Sequence, residues 1–119
     1  DRAIADYSEA IRIDPNFSNF YSSRGVVWDN KRDYDRAIAD YSTAIRLNPK
    51  SAADFRNRGN AHDGKREFDR AIADYGEAIK LDPKNATYHS GRGFLWAKKA
   101  DSVRAIADLN EAIRLDPSN

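Results

Sequence analysis

Three observations in the sequence predict an all-α solenoid of antiparallel helix pairs with about seven helices. One phrase recurs as DRAIADYSEAI, DRAIADYSTAI, DRAIADYGEAI and VRAIADLNEAI, beginning at Asp1, Asp35, Asp69 and Val103, so that each copy starts 34 residues after the last. Prolines follow the copies at the same interval, and the apolar residues of each copy have helical spacing. A fixed period of this size is typical of small structural units stacked in a row.

Each copy of the phrase is predicted to form one amphipathic helix. In the first copy the apolar residues Ala3, Ile4, Tyr7, Ala10 and Ile11 have the i, i+4, i+7 spacing of a stripe along one helix face. A proline disfavours the α conformation in the residue before it, so we expect the helices to end just ahead of the prolines. These prolines are Pro15, Pro49, Pro83 and Pro117.

A second helix is predicted between each proline and the next copy of the phrase. Its apolar and small residues recur near every 3.6 positions, as in Phe20, Tyr21, Gly25 and Trp28. The link to the following copy is short, which places the two helices antiparallel. Asp33 and Asp101 stand in two of these links and are predicted N-caps, because a carboxylate accepts hydrogen bonds from the free amides of a helix start.

Composition excludes several classes of protein. Hydrophobic residues make up 40% and charged residues 33% of the 119 residues, with 20 basic and 19 acidic side chains and a net charge of +1. No strong net field therefore attracts nucleic acid, and no apolar run or leader pattern predicts membrane insertion or secretion, which favours the cytoplasm. The absence of cysteine excludes disulfides and thiolate metal sites. Because the chain starts at Asp1 without an initiating methionine, we expect it to be part of a longer array.

The chain resembles the tetratricopeptide repeat family, whose 34-residue pattern contains an aromatic, a Leu-Gly pair, a tyrosine, an Ala-x-x-x-Phe segment and a closing proline. The matching residues are Tyr21, Gly25, Trp28, Ala37, Tyr41 and Pro49, then Phe55, Gly59, His62, Ala71, Tyr75 and Pro83, then His89, Gly93, Trp96, Ala105, Leu109 and Pro117. The resemblance implies a right-handed superhelix. The predicted organisation is a single array with a half repeat over 1–17 and repeats over 18–51, 52–85 and 86–119.

Two departures from the family pattern bear on packing. The leucine before the glycine is replaced by Arg24, Arg58 and Arg92, and we predict that these arginines form ion pairs between helices with the repeated aspartates. The candidate partners are Asp6, Asp40, Asp74 and Asp108. The glycine that the family often places between the helices is replaced by Arg32, Arg66 or Ala100, which leaves the geometry of that turn open.

No motif predicts catalysis, a cofactor or a metal site. The segment GNAHDGK over 59–65 resembles a phosphate-binding loop, but Arg66 replaces the required serine or threonine and the segment lies on a predicted helix. His62 and His89 occupy positions where sister repeats carry aromatic residues, so we interpret both as packing residues. Ser90 beside His89 cannot form a nucleophile–base pair, since adjacent helical residues point in different directions.

The exposed faces of the first helices differ between repeats, whereas the packing positions hardly change. The resemblance implies that these helices line a concave groove that holds an extended peptide or a partner helix. The groove residues carried over are Asn19, Ser22, Ser23, Val26 and Asn30, then Arg56, Asn57, Asn60 and Asp63, then Thr87, Ser90, Gly91, Phe94 and Lys98. Asparagine amides both donate and accept, which suits a peptide backbone, and Phe94 would anchor an apolar contact. The alternative is a solvated face, with the ligand site elsewhere.

Two known subtypes of binding fit the sequence poorly. Family members that clamp a C-terminal carboxylate use basic and asparagine side chains on three consecutive first helices. Arg56 and Asn60 match the opening pair, but Gly91 stands where another asparagine is required and the preceding repeat offers serines. The related nucleic-acid-binding arrays have a 35-residue period and basic surfaces, which this chain lacks.

The sequence therefore predicts a non-catalytic protein–protein interaction scaffold that binds a peptide or protein ligand in its groove, without nucleic acid, membrane insertion, metal or cofactor. A first alternative is self-association through exposed end helices, because no polar capping helix follows Leu115 and the leading helix lacks a partner. A second alternative is a recruiting arm of a larger enzyme.

Overall fold

A computed structural model describes residues 1–118, which form seven α-helices and no strand. The helices are α1 (Arg2–Ile13), α2 (Ser18–Asn30), α3 (Tyr34–Leu47), α4 (Ala52–Gly64), α5 (Phe68–Leu81), α6 (Ala86–Lys98) and α7 (Ser102–Leu115). Each helix packs on the next in an elongated array of 47 × 25 × 24 Å, which confirms the predicted all-α solenoid. Asn119, the last residue of the predicted third repeat, lies outside the described residues. None of the described helices combines the length and apolarity that crossing a membrane requires.

The helix pairs α2–α3, α4–α5 and α6–α7 are called the first, middle and third repeats below, and the members of each pair are its first and second helix. Both predicted N-caps are confirmed: the Asp33 and Asp101 carboxylates accept from the amides of Arg36 and Arg104, at 3.2 and 3.1 Å. The equivalent Glu67 forms no such cap on α5. The middle repeat therefore begins its second helix without the side-chain bond that its neighbours have.

The turn between the two helices of each repeat adopts a left-handed conformation without glycine. Arg32, Arg66 and Ala100 have φ values of 62°, 62° and 61°. A left-handed residue with a Cβ costs roughly 1–2 kcal/mol, and glycine avoids this cost. The turn therefore has the left-handed geometry that glycine usually adopts. Three residues that carry a Cβ occupy it instead, and their backbones are strained.

Small residues lie where the two helices of a repeat cross. Ala37 and Ala71 are fully buried on α3 and α5. A Cβ added to Gly59 on α4 would lie 3.2 Å from the carbonyl oxygen of Ala71, and one added to Gly25 would lie 2.7 Å from the Tyr41 ring. These close approaches leave no room for a larger side chain, so the crossing depends on glycine and alanine.

The predicted arginine–aspartate pairs are present in all three repeats. Arg24 binds Asp40, Arg58 binds Asp74 and Arg92 binds Asp108, with closest N···O distances of 2.7, 2.8 and 2.7 Å, and each of these aspartates is buried. All three pairs are bidentate, a geometry that suits guanidinium and carboxylate groups.

Two of these arginines also reach the second helix that precedes their repeat. Arg24 donates to Ser8 on α1, and Arg58 donates to Ser42 on α3, at 3.1 and 3.2 Å. Asp6 was the fourth candidate partner, but it is exposed and pairs with no arginine among residues 1–118, so the prediction is wrong for Asp6. The arginines are therefore structural side chains that join helices.

Candidate interaction surface

The exposed sides of α2, α4 and α6, here called the first-helix face, form a continuous surface. Ser22 on α2 donates a hydrogen bond of 2.6 Å to Asp54 on α4. Lys98 on α6 forms an ion pair of 2.8 Å with Asp63 on α4. Side-chain bonds thus connect the three first helices directly, in addition to their packing against the second helices.

All of the predicted groove residues lie on these three helices, but they differ in exposure. Those exposed to solvent are Asn19, Val26, Asn30, Asn60, Thr87, Phe94 and Lys98, and those half-buried are Ser22, Ser23, Arg56, Asn57, Asp63, Ser90 and Gly91. Phe94 is 60% exposed, whereas Val26 at the same position of the first repeat is 41% exposed. The third repeat therefore presents the largest apolar side chain of the face.

A pocket of about 590 Å³ opens between α4 and α6 beside Phe94. Phe94, Leu95 and the ring of Tyr75 supply apolar surface, and Asn60 and the Asp63–Lys98 ion pair supply its polar groups. An apolar pocket with a few placed polar groups is the usual form of a ligand site. The structure thus brings together five of the predicted residues: Asn60, Asp63, Gly91, Phe94 and Lys98.

The asparagines of α4 already form hydrogen bonds within the chain. The oxygen of Asn60 accepts a hydrogen bond from the Tyr75 hydroxyl, and the oxygen of Asn57 accepts from Nε of Arg56 at 3.1 Å. Each amide still has its NH₂ group and a second lone pair on its oxygen for a ligand. Their role in binding a peptide backbone therefore stays a prediction.

Two tyrosines act as fixed hydrogen-bond donors beneath this face. Burial raises the pKa of Tyr75 above its ordinary value of 10.0. Burial, together with the negative charge of Asp29, raises the pKa of Tyr41 further. Both phenols therefore stay protonated at neutral pH, and the Tyr75 hydroxyl keeps the Asn60 oxygen engaged.

The missing asparagine at Gly91 has a packing cause. A Cβ at this position would overlap the Cε1 atom of Tyr75. The Tyr75 ring therefore occupies the space that a longer side chain at position 91 would need. A three-helix clamp for a terminal carboxylate cannot form here without moving Tyr75, which agrees with the sequence-based exclusion.

Both histidines are buried packing residues, as the sequence predicted. His62 is 8% exposed, and its Nδ1 atom lies 2.8 Å from a carboxylate oxygen of Glu67. His89 is also 8% exposed and its Nε2 atom donates to the carbonyl oxygen of Pro83 at 2.9 Å. Within residues 1–118, no group of three or more His, Cys, Asp or Glu side chains is arranged to hold a metal ion.

Sequence reasoning missed the polar contacts that Asp54 and Tyr75 form beneath this face. Asp54 is buried and receives the Ser22 hydroxyl, although its sister positions are Phe20 and Tyr88. Because the equivalent positions in the other repeats are aromatic, the aspartate at position 54 indicated that a polar contact replaces an apolar one there. Tyr75 was recognised only as a packing residue, because the pattern gave no direction for its hydroxyl.

Comparisons with known proteins agree with this architecture. A model described as "Tetratricopeptide repeat" matches residues 18–51 and one described as "TPR repeat" matches residues 66–99, which together span more than half of the chain. No curated protein sequence matches the chain.

Solved structures share the fold at low sequence identity. MamA 41-end from Desulfovibrio magneticus RS-1 is 24% identical with a TM-score of 0.92, covering 99% of this chain and 67% of that one. Another MamA crystal structure is 21% identical with a TM-score of 0.93, covering 96% of this chain and 67% of that one. The Arabidopsis OM64 TPR domain is 27% identical with a TM-score of 0.80, covering 86% of this chain and 84% of that one.

The chain spans about two thirds of the length of the MamA chains that it matches. The shared fold is that of a protein-interaction scaffold and is typically non-catalytic. The two family-model matches, the 34-residue period and the packed helix pairs have one explanation. The chain belongs to the tetratricopeptide repeat family.

Proposed function

We propose that this chain binds a peptide or a helix of a partner protein on its first-helix face, centred on the pocket between α4 and α6. The observation that carries the proposal is the 60% exposure of Phe94 beside that pocket. Large aromatic side chains next to a pocket are the usual anchors of protein interfaces. The polar groups around it would orient the ligand.

Differences between the repeats support the same surface. Position 94 is phenylalanine, whereas the equivalent positions hold Val26 and Asn60, so the face changes along the array while the arginine–aspartate pairs do not. A uniform, solvated face would not need a large aromatic side chain at an exposed position. The variation therefore favours recognition of a specific ligand.

Selection from random dodecapeptides displayed on phage tests the proposal. We expect selected peptides to bind the Phe94→Ala variant at least tenfold more weakly than the unmodified chain, because the variant removes the apolar wall of the pocket. Val103→Ala is the matched control, since Val103 is 81% exposed on α7, outside the first-helix face. Peptides that bind the Phe94→Ala variant with unchanged affinity would contradict the proposal.

A second candidate function, self-association of the chain, is favoured by the apolar side of α7. Val103, Ile106 and Ile113 are 81%, 57% and 56% exposed, whereas the equivalents of the isoleucines in the middle repeat, Ile72 and Ile79, pack against the core. Sedimentation velocity of this chain at several concentrations tests the idea. We expect a concentration-dependent oligomer that the Ile106→Asp variant dissociates, and a strict monomer at high concentration would exclude it.

A further inference from the structure

The helices α1, α3 and α5 each contact the next first helix through the same polar positions. An aspartate near the start of each pairs with a lysine at the C-terminal end of that first helix. In α1 and α3, a serine seven positions later also accepts a hydrogen bond from an arginine of that first helix. The ion pairs are Lys31–Asp1, Lys65–Asp35 and Lys99–Asp69, and the hydrogen bonds are Arg24–Ser8 and Arg58–Ser42.

Helix α7 differs from these three helices at both positions. Val103 replaces the aspartate and is 81% exposed, and Asn110 stands at the position of Ser8 and Ser42. Without a carboxylate at position 103, the lysine that α1, α3 and α5 each receive would have no anion there. The outer side of α7 therefore fits an uncharged helix face better than another repeat of this chain's own type.

The exposed residues on the outer side of α7 form an uncharged stripe, with intervals of three, four and three positions. These residues, here called the α7 stripe, are Val103, Ile106, Asn110 and Ile113. Such spacing is that of the seam between two packed helices, where a single asparagine can fix the register. The neighbouring Arg114 is paired with Glu111 of the same helix, so it requires no anion from a partner.

We propose that the α7 stripe binds the α7 stripe of a second copy of this chain, with the two helices antiparallel and their Asn110 residues facing each other. This inference rests on the second candidate function, self-association, and specifies the surface and the direction of pairing. Two uncharged stripes bring no like charges together when they meet, so the stripe is electrostatically compatible with a copy of itself.

Antiparallel packing is already the arrangement on the outer side of the second helices. From Asp35 to Ser42 the chain runs forward along α3, whereas their partners on the next helix run backward, from Lys65 to Arg58. A second copy of α7 would therefore approach the α7 stripe in the direction in which α4 approaches α3.

A contact centred on Asn110 brings apolar residues together. In antiparallel helices, residues at similar distances before and after the centre of the contact meet each other. Ile106 lies four positions before Asn110 and Ile113 lies three positions after it, so each Ile106 meets Ile113 of the second copy. Both isoleucines lie on the same side of Asn110 around the helix, as a twofold axis requires of residues that meet. The two Asn110 amides can donate to and accept from each other at the centre.

A pocket of about 280 Å³ beside the α7 stripe adds apolar surface to the contact. Phe94 of α6 and Leu109 and Ile113 of α7 are among the residues that line it. Because Ile106 of the second copy would lie next to Ile113, its side chain would reach the mouth of this pocket. The added surface supports a dimer, since specific interfaces bury about 1,000 Å² or more.

A charge exchange at position 110 tests the inference. Asn110→Asp and Asn110→Lys each place two like charges at the centre of the contact. We expect each variant alone to dimerise about tenfold or more weakly than the unmodified chain in sedimentation velocity. An equimolar mixture of the two variants should dimerise again, because opposite charges then face each other. Asn30→Asp and Asn30→Lys, at an exposed asparagine of α2, are the matched controls and should behave like the unmodified chain.

Cysteine cross-linking tests the direction of pairing, since the chain contains no cysteine of its own. Ile106→Cys is mixed with Ile113→Cys, and one of the two variants carries a tag. We expect mild oxidation to produce mixed disulfide-linked dimers in preference to dimers of either variant alone. Arg104→Cys in place of Ile106→Cys is the control, because Arg104 lies outside the α7 stripe. A preference for disulfides between identical variants would indicate a parallel pair and overturn the inference.

The outcomes separate this inference from self-association itself. An oligomer that Ile106→Asp dissociates, but that the variants at position 110 leave unchanged, would overturn the proposed pairing and leave self-association standing. Failure of the Asn110→Asp and Asn110→Lys mixture to dimerise would also overturn the pairing. A chain that stays monomeric at every concentration would overturn both. Circular dichroism should show unchanged helix content in both Asn110 variants, since Asn110 is exposed.

Discussion

The turn between the two helices of a repeat, together with the side chains that stabilise it, is here called the joint. The joint of the middle repeat is stabilised by different side chains from those of its neighbours. In the first and third repeats, Trp28 and Trp96 are stacked under Arg36 and Arg104, each at 4.8 Å from ring centroid to guanidinium carbon, and an aspartate caps the second helix. In the middle repeat His62 replaces the tryptophan, and Glu67 binds this histidine instead of capping α5.

This difference shows how a repeat can diverge without losing its fold. Glutamate is one methylene longer than aspartate, so its carboxylate reaches His62 and no longer caps the helix. The arginine–aspartate pair and the left-handed turn are the same in all three repeats. The middle repeat therefore differs at its joint and at the exposed residues of its first helix, and it agrees with its neighbours in the arginine–aspartate contacts between helices.

The largest expected effect concerns the arginine–aspartate pairs. It tests whether the pairs of the first and middle repeats contribute equally to the free energy of unfolding. Arg58→Leu and Arg24→Leu should each lower the free energy of unfolding by about 3 kcal/mol, because each leaves a buried aspartate without its cation. Urea unfolding of both variants measures the two losses. Equal losses would confine the difference between the repeats to the joint and the first-helix face, and a loss below about 1 kcal/mol would contradict the structural role of the pairs.

A smaller effect is expected at the contact between the middle and third repeats. Gly91→Ala should destabilise the chain by about 2 kcal/mol, because its Cβ would overlap the Tyr75 ring. The matched control is Gly76→Ala on α5, where an added Cβ meets only Arg92 at 3.8 Å. This control should gain roughly 0.5–1 kcal/mol from helix propensity. Thermal unfolding would refute the packing argument if both variants changed stability in the same direction.

Relief of backbone strain in the turn of the third repeat should stabilise the chain. Ala100→Gly is expected to raise the free energy of unfolding by about 1 kcal/mol, since Ala100 has a φ of 61° and glycine has no Cβ to strain there. Chemical denaturation measures the gain, with Ala97→Gly inside α6 as the control that should lose stability. A destabilised Ala100→Gly variant would show that the left-handed turn is not strained.

The smallest effect concerns the acidic residue of the middle joint. The hydrogen bond from His62 lowers the pKa of Glu67 below its ordinary value of 4.5. A lowered folded-state pKa means that ionised Glu67 stabilises the fold above about pH 4.5 and that this contribution disappears as the pH falls through the folded value. The difference in melting temperature between the unmodified chain and Glu67→Gln should therefore shrink below pH 4.5. A difference that is constant from pH 7 to pH 3 would exclude the His62–Glu67 contact.

Features that depend on spacing alone were predictable from the sequence. The helix pairs, the caps at Asp33 and Asp101 and the partners of Arg24, Arg58 and Arg92 follow from positions that repeat every 34 residues, and the structure confirms them. One copy of a pattern is weak evidence for a structure. Three copies at a fixed interval are stronger evidence, because few arrangements of the helices satisfy all three.

Features that depend on the direction of a side chain across helices were not predictable. The bond from Ser22 to Asp54 joins residues 32 positions apart, and the engaged oxygens of Asn57 and Asn60 depend on where Arg56 and Tyr75 point. Rotamers of this kind are set by packing between neighbouring repeats. The internal hydrogen bonds of these side chains therefore emerged only from the structure.

The arginine–aspartate pairs have a consequence for how such an array can change in evolution. The members of each pair are 16 residues apart, so both charges belong to the same repeat. Duplication or deletion of one repeat in a gene copies or removes a buried aspartate together with its arginine, and neither charge is left without its partner. Array length can thus vary freely, while the surface pairs Lys65–Asp35 and Lys99–Asp69, which join successive repeats, are remade at each new junction.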